Sequence, residues 1–281
     1  MRRRKVLVLA VAVALSGALS CAVGPEVREE VRELYDLSLS HTNVVEHLGE
    51  GGPRIEVMLL RGSPEGVLEE GGMRLYYRAR GSSDFATVFM GRAGTSTLFH
   101  AEVPHQERGT WVDYFIEVRG IGGELLTFPG DAGEGNYYPL RFKGSVPRPL
   151  LAAHIGSMFL GLLLFVFAAY RSWMYLKRKG AYEGIEKWSL YGLGLIFIGG
   201  FPLGFLMGYY TFGIPWTGFP VGGDVTDTKT LIVFTCWLLI ALFFRSPGAG
   251  SADERKQRRY SWLVIAGTLL TIVIYIIPHS I

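Results

Sequence analysis

The stretch LLAAHIGSMFLGLLLFVFAAY, residues 150–170, carries no Lys, Arg, Asp or Glu. At 1.5 Å per residue it has the length of a helix that crosses a hydrocarbon core of about 30 Å. Three more apolar segments follow: SLYGLGLIFIGGFPLGFLMGYY (189–210), KTLIVFTCWLLIALFFR (229–245) and SWLVIAGTLLTIVIYIIPH (261–279). The third is the shortest, and its flanking Lys229 and Arg245 can snorkel to the interface. Residues 148–281 therefore read as a four-helix transmembrane domain. Upstream of it the character changes: residues 22–147 hold most of the acidic groups and read as a soluble domain. The whole-chain averages, 49% hydrophobic and 19% charged with a mean hydropathy of +0.26, blend these two halves.

Basic residues give the orientation. Arg171, Lys177, Arg178, Lys179 and Lys187 lie in one loop, and Arg245, Arg255, Lys256, Arg258 and Arg259 in another, whereas residues 211–228 contain no Lys or Arg. The positive-inside rule places the first two loops in the cytoplasm and the soluble half outside it. A net charge of +3, concentrated beside the apolar runs, is membrane topology and not a nucleic-acid footprint.

The N-terminus agrees with export. MRRRK, an apolar run from Val6 to Leu15 and small residues up to Ser20 form a signal peptide over residues 1–20. Ala18-Leu19-Ser20 suits ordinary signal peptidase, while Cys21 stands where a lipoprotein signal places its acylated cysteine; both readings remain open. The chain is thus expected in a bacterial inner membrane with its soluble domain periplasmic or extracellular. Cys236 falls inside a span, so the exported domain has no disulfide to draw on.

Residues 21–52 read as a tether or a short amphipathic helix, with Val27, Val31, Leu34 and Tyr35 at helical spacing. From residue 53 to 146 the pattern changes to short alternating runs: RIEVMLL (54–60), RLYYRAR (74–80), FATVFM (85–90), TLFHAEV (97–103), WVDYFIEVR (111–119), ELLTFP (124–129) and YYPLRFK (137–143). Glycine-rich turns separate them at intervals typical of an all-β sandwich. LYYRARGSSDFATVFM, FHAEVP and GTWVDYFIEVRGIGGELLTFP resemble the immunoglobulin-like or fibronectin-type-III-like modules of bacterial surface and periplasmic proteins. That resemblance implies a partner-binding or bracing role without catalysis. His100 and His105 lie on a strand and a turn with no companion at ligand spacing, and read as surface histidines. The fold class expected is α+β: an immunoglobulin-like sandwich followed by a four-helix bundle.

One constellation invites a chemical reading. The loop WTGFPVGGDVTDTKT (216–230) meets the start of the first span and the end of the last, which brings Trp216, Asp224, Asp227, Lys229, His154 and His279 to similar depth. Two histidines from different helices are the axial pair that haem b requires. The same residues also make sense as structure, with an aspartate as helix N-cap, Lys229 paired to an aspartate and His154 in an interfacial polar network. Another metal or a proton-transfer site is the third option. Gly200, Gly204 and Gly208 repeat at four-residue spacing as a helix-packing seam, and Pro202 is expected to bend that helix. The segment from Gly199 through the WTG-x-P-x-G-x-D-x-T-D-x-KT loop to IPHS is similar to an uncharacterised family of bacterial four-span membrane proteins, from which no activity transfers. No G-x-S-x-G elbow, P-loop, H-E-x-x-H or dinucleotide fingerprint is present. Two functions follow: a non-catalytic envelope protein that displays a sandwich to a partner or serves a membrane complex, or an electron-transfer subunit with haem b between His154 and His279.

Overall fold

The computed structural model describes residues 26–92, 94, 96–244 and 254–277. The residues expected to form a signal peptide, and Cys21, Arg245 and His279, lie outside the described residues. The chain divides into two compact units, residues 25–145 with 210–213, and residues 146–209 with 214–281.

The first unit is two β-sheets. β1 (Glu29–Leu34), β2 (Leu37–Thr42), β4 (Arg54–Arg61), β8 (Leu98–Glu102) and β7 (Gly91–Arg92) form one in the order β1-β2-β4-β8-β7. β3 (Glu46–Leu48), β11 (Tyr138–Lys143), β9 (Trp111–Gly120), β5 (Leu68–Ala79) and β6 (Ala86–Phe89) form the other, with β10 (Leu125–Phe128) also on β9. Neighbours pair antiparallel except β3 with β11. Alternation places Ile55, Val57 and Leu39 from one sheet, and Leu75, Val112, Tyr114, Ile116, Leu140 and Phe142 from the other, in one buried core.

The tether or helix expected over 21–52 is replaced by β1, β2 and β3. Glu29 to Leu34 pairs in register with Thr42 to Leu37 across a turn in which Tyr35 takes φ 54°. The helical stripe would have had to bury Val27 and Val31, yet these stay 60% and 52% exposed. Leu37, Leu39 and His41 supply the burial instead, and alternate residues reach one core only from a strand. The sandwich therefore begins well before residue 53.

The second unit holds α1 (Arg148–Leu176), α2 (Ile185–Ile198), a π-turn (Gly199–Leu203), α3 (Gly204–Phe212), α4 (Val225–Phe244) and α5 (Glu254–Ile276). Among the described residues there are four helices long and apolar enough to cross a membrane, with α2, the π-turn and α3 making one of them. Phe159, Leu163, Leu242, Phe243, Leu269 and Val273 are exposed on them, a surface suited to lipid. In the centre Phe165 of α1 stacks on Trp237 of α4 at 3.7 Å, and the Trp237 indole N–H donates to Thr271 of α5 at 2.9 Å. The Thr268 hydroxyl donates to the Phe165 carbonyl at 3.1 Å, which ties the same three helices by hydrogen bonds.

Pro202 has no N–H to give the turn before it, and the helix passes that point as a π-turn. This changes the glycine pattern. Gly200 lies against Thr230 and Gly208 against Ile214 and Pro215, whereas a Cβ on Gly204 would approach only the Gly199 carbonyl of its own helix. The extra residue in the π-turn moves Gly204 out of phase, so the three glycines do not make one seam. Two helices approach closely at Gly161 and Gly192, where a Cβ on either would come within 3.2 Å of the other's carbonyl oxygen.

Candidate functional site

The hydrogen bonds of the 213–230 region separate residues that the sequence groups together. Asp224 is the N-cap of α4: its Oδ1 accepts from the Thr226 and Asp227 amides at 2.7 and 3.1 Å. Asp227 turns the other way, and its Oδ2 accepts from the Thr217 amide at 2.8 Å and the Thr217 hydroxyl at 3.1 Å. The Thr228 hydroxyl is shared between the Phe219 amide, which donates to it, and the Asp224 carbonyl, to which it donates. Backbone bonds from Asp224 to Thr217 and from Val221 and Gly222 to Gly218 close the loop. The Trp216 indole donates to the Phe219 carbonyl at 3.2 Å and its ring lies parallel to Phe201 at 6.0 Å. Gly218 and Gly222 are required by space, since a Cβ would fall 2.6 Å from Asp227 Cβ and 2.4 Å from the Thr217 oxygen.

Lys229 is buried, and its Nζ donates to the Ile277 carbonyl at 2.8 Å beyond the end of α5. It thereby satisfies a carbonyl that a helix end leaves without an intrahelical partner. His154 is half-buried and directed at the π-turn, with Nδ1 3.0 Å from the Gly199 carbonyl. A carbonyl only accepts, so Nδ1 carries a proton and donates to it. Trp216, Asp224 and Asp227 thus belong to one closed loop, Lys229 reaches the end of α5 while lying within charge range of Asp224, and His154 reaches the π-turn. Among the described residues no group of three or more His, Cys, Asp or Glu is arranged to hold a metal ion. In the β unit, His105 and His47 both hydrogen-bond the Gly51 carbonyl, at 3.0 and 3.1 Å, and are loop ties.

A second site is built on the outer face of the sheet containing β5 and β9. Register places Arg78 opposite Asp113, Tyr76 opposite Phe115, and Arg74 opposite Glu117. On the flanking strands, Arg74 faces Phe89, Tyr76 faces Thr87, and Trp111 faces Arg141. Arginine and aromatic side chains therefore alternate across the face. Tyr76 stacks on Phe115 at 4.7 Å, and Phe85 and Tyr137 close around Phe115 at 5.1 and 5.6 Å. The Arg78 guanidinium lies over Phe85 at 4.5 Å and Tyr137 at 5.1 Å, Arg74 lies over Phe89, and Arg80 and Arg141 lie over Trp111.

The charges on this face do not balance. Arg80 pairs with Asp113, Arg119 with Glu117, and Lys143 with Glu46. Arg74 and Arg78 make no ion pair with a carboxylate among the described residues; each gives one N–H to a backbone carbonyl, of Gly71 and of Ser83. Arginine held flat on aromatic rings keeps its in-plane N–H groups available for carboxylate. The strands RLYYRAR and WVDYFIEVR are legible in the sequence; which residues share the outer face is not, until the β5–β9 register is known.

The chain matches no protein-family model and no curated protein sequence.

Proposed function

We propose that this is a non-catalytic membrane-anchored binding protein, whose sandwich stands on the exported side and recognises an acidic segment of a protein partner. The observation that carries the reading is Arg78, laid over the contacting rings of Phe85 and Tyr137 with no carboxylate partner among the described residues. Tyr, Trp and Arg are the side chains that dominate protein–protein binding energy, and pre-ordered arginines lose little entropy on meeting a carboxylate. Apart from Phe89, which is 63% exposed, the ring faces here are covered by guanidinium groups or by one another. What remains for a partner is mostly ring edge and N–H, which suits carboxylate better than it suits a sugar ring that needs a bare aromatic face.

The resemblance of the sandwich to immunoglobulin-like and fibronectin-type-III-like modules supports the same role, as does the distribution of basic residues for its orientation. A photoreactive amino acid at Thr87, on this face, should trap a protein in intact cells, and one at Glu56 on the other sheet should not. Arg74→Glu with Arg78→Glu should reduce the Thr87 adduct about tenfold, through like-charge repulsion of an acidic partner. An adduct that is absent, or indifferent to the charge reversal, refutes the reading.

One observation keeps a second reading in view. With Nδ1 of His154 donating to a carbonyl, Nε2 is the nitrogen left for a haem iron, and such a backbone partner is what orients ligating histidines. Haem b held by His154 and His279 would make the bundle an electron-transfer subunit. A reduced-minus-oxidised visible spectrum of the purified full chain decides it: α and Soret bands that vanish in His154→Ala and His279→Ala support haem, and a flat spectrum removes it.

A further inference from the structure

The loop between α3 and α4 has a composition and a hydrogen-bond pattern unlike those of a loop built for water. From Tyr209 to Gly223 there is no charged residue and no histidine. Ile214 is 52% exposed, and Phe219 and Val221 are 64% and 77% exposed although these two belong to a segment closed on itself by backbone bonds and by the Asp227 and Thr228 side chains. Exposed apolar side chains on a disordered loop could fold away; on this closed loop they are held outward. Large apolar groups displayed in this way mark a contact with something apolar.

The backbone tells what that is. The amides of Thr217, Gly218, Phe219, Val221, Gly222 and Asp224 all donate within the loop and the first turn of α4. Pro215 and Pro220 have no amide proton to satisfy. Even the Trp216 indole N–H, the group that usually reaches for water at an interface, is spent on the Phe219 carbonyl. Satisfying polar groups internally is the condition for non-helical backbone to enter a lipid environment without large cost. The loop also continues an apolar surface: Phe205, Leu206 and Tyr209, exposed along α3, lead directly into it.

We propose that residues 214–222 are an interfacial wedge that seats Phe219 and Val221 in the lipid leaflet at this end of the bundle. The occupant of the patch is lipid acyl chain, and the depth is the headgroup–acyl boundary, within about 5–10 Å of the surface. Asp224 then marks the polar limit of the wedge, where it caps α4. The inference rests on the four-span reading, and the test separates the two.

In the full chain with Cys21→Ser and Cys236→Ala, single cysteines at Phe219, Val221, Leu163 and Glu33 are labelled with the fluorophore NBD and placed in phosphatidylcholine nanodiscs. Lipids carrying a nitroxide near the headgroup or near the chain terminus are the quenchers. The expected result is loss of emission at 219 and 221 that is greater with the shallow nitroxide, loss at 163 that is greater with the deep one, and none at 33. Val221→Cys guards against misfolding at 219, because its side chain is the most exposed of the three. If 219 and 221 behave like 33 while 163 is quenched, the wedge is wrong and the spans stand. If 163 is not quenched either, the spanning reading itself fails and the wedge with it.

Discussion

His41 of β2 and Tyr114 of β9 meet between the two sheets of the sandwich, with Nε2 3.2 Å from the phenolic oxygen. The wiring around them fixes the protons. His41 Nδ1 lies 2.7 Å from the Glu56 carbonyl and must donate to it, while the Val44 amide donates to Tyr114 at 2.8 Å. In the neutral imidazole, which burial favours, Nε2 holds the lone pair and Tyr114 gives its proton to it. Burial lowers the His41 pKa, against the smaller opposing pulls of the Glu56 carbonyl and the Glu30 charge. A histidine whose folded pKa lies below its unfolded value of about 6.5 stabilises the fold above that pH, and the contribution is lost as pH falls below it. The thermal stability of the sandwich should thus not change with pH through this residue above about pH 7 and should fall on acidification, with His41→Gln flattening part of the slope. Equal slopes for the two proteins would acquit His41.

Glu30 should report a second, more acidic transition. It accepts from the Tyr138 hydroxyl at 2.6 Å, Arg32 Nε at 2.6 Å and the Gly130 amide at 3.0 Å. Burial pushes its pKa up, but these bonds and the Arg32 charge outweigh burial and hold it below the usual carboxylate value. Its stabilisation is present above the unfolded value of about 4.3 and lost below it. Tyr138→Phe should cost about 1 kcal/mol at neutral pH, discounted for the partial exposure of Glu30, and should weaken the acid transition in a pH-dependent denaturant titration.

The same glutamate shows where reading the sequence failed. PEVREEVRELYDLSL satisfies both a helical and an alternating pattern, and local spacing does not choose between them. The choice comes from Gly130 and Tyr138, about a hundred positions away, and from pairing with β2. The spans were legible because twenty or so apolar residues have few alternatives in water. The loop aspartates were legible as a cap, and Asp224 is one. The role of Asp227 as a clamp on Thr217 was not, since it needs the chain to return on itself. The glycine spacing misled because the π-turn at Pro202 breaks the four-residue phase on which a seam depends.

The two aspartates should be separable. Asp224→Ala removes an N-cap and should cost about 1 kcal/mol, with faster amide exchange confined to the first turn of α4. Asp227→Ala strips the acceptor shared by the Thr217 amide and hydroxyl and should cost about 1–3 kcal/mol, with exchange accelerated across residues 217–222. Asp227→Asn keeps an oxygen in place and should fall between wild type and Asp227→Ala. Exchange mass spectrometry of the full chain reads both regions at once, and an identical pattern for the two alanine variants would contradict the division of labour.

Gly192 and Gly194 stand on the same helix with opposite surroundings, which makes them a test of the bundle's packing. A Cβ at Gly192 would fall 2.6 Å from the Phe165 ring and 3.1 Å from the Gly161 carbonyl, whereas nothing lies within 4 Å of one at Gly194. Phe165 cannot retreat easily, being fully buried and stacked on Trp237. Gly192→Ala should therefore separate α1 from α2 at a cost of about 1–3 kcal/mol, despite the better helix propensity of alanine. Gly194→Ala meets no neighbour and should gain up to about 1 kcal/mol from propensity alone. Thermal unfolding in detergent, followed by near-ultraviolet signals from the Phe165–Trp237 stack, should move in opposite directions for the two variants. Equal shifts would mean that the α1–α2 contact does not set the stability of the bundle.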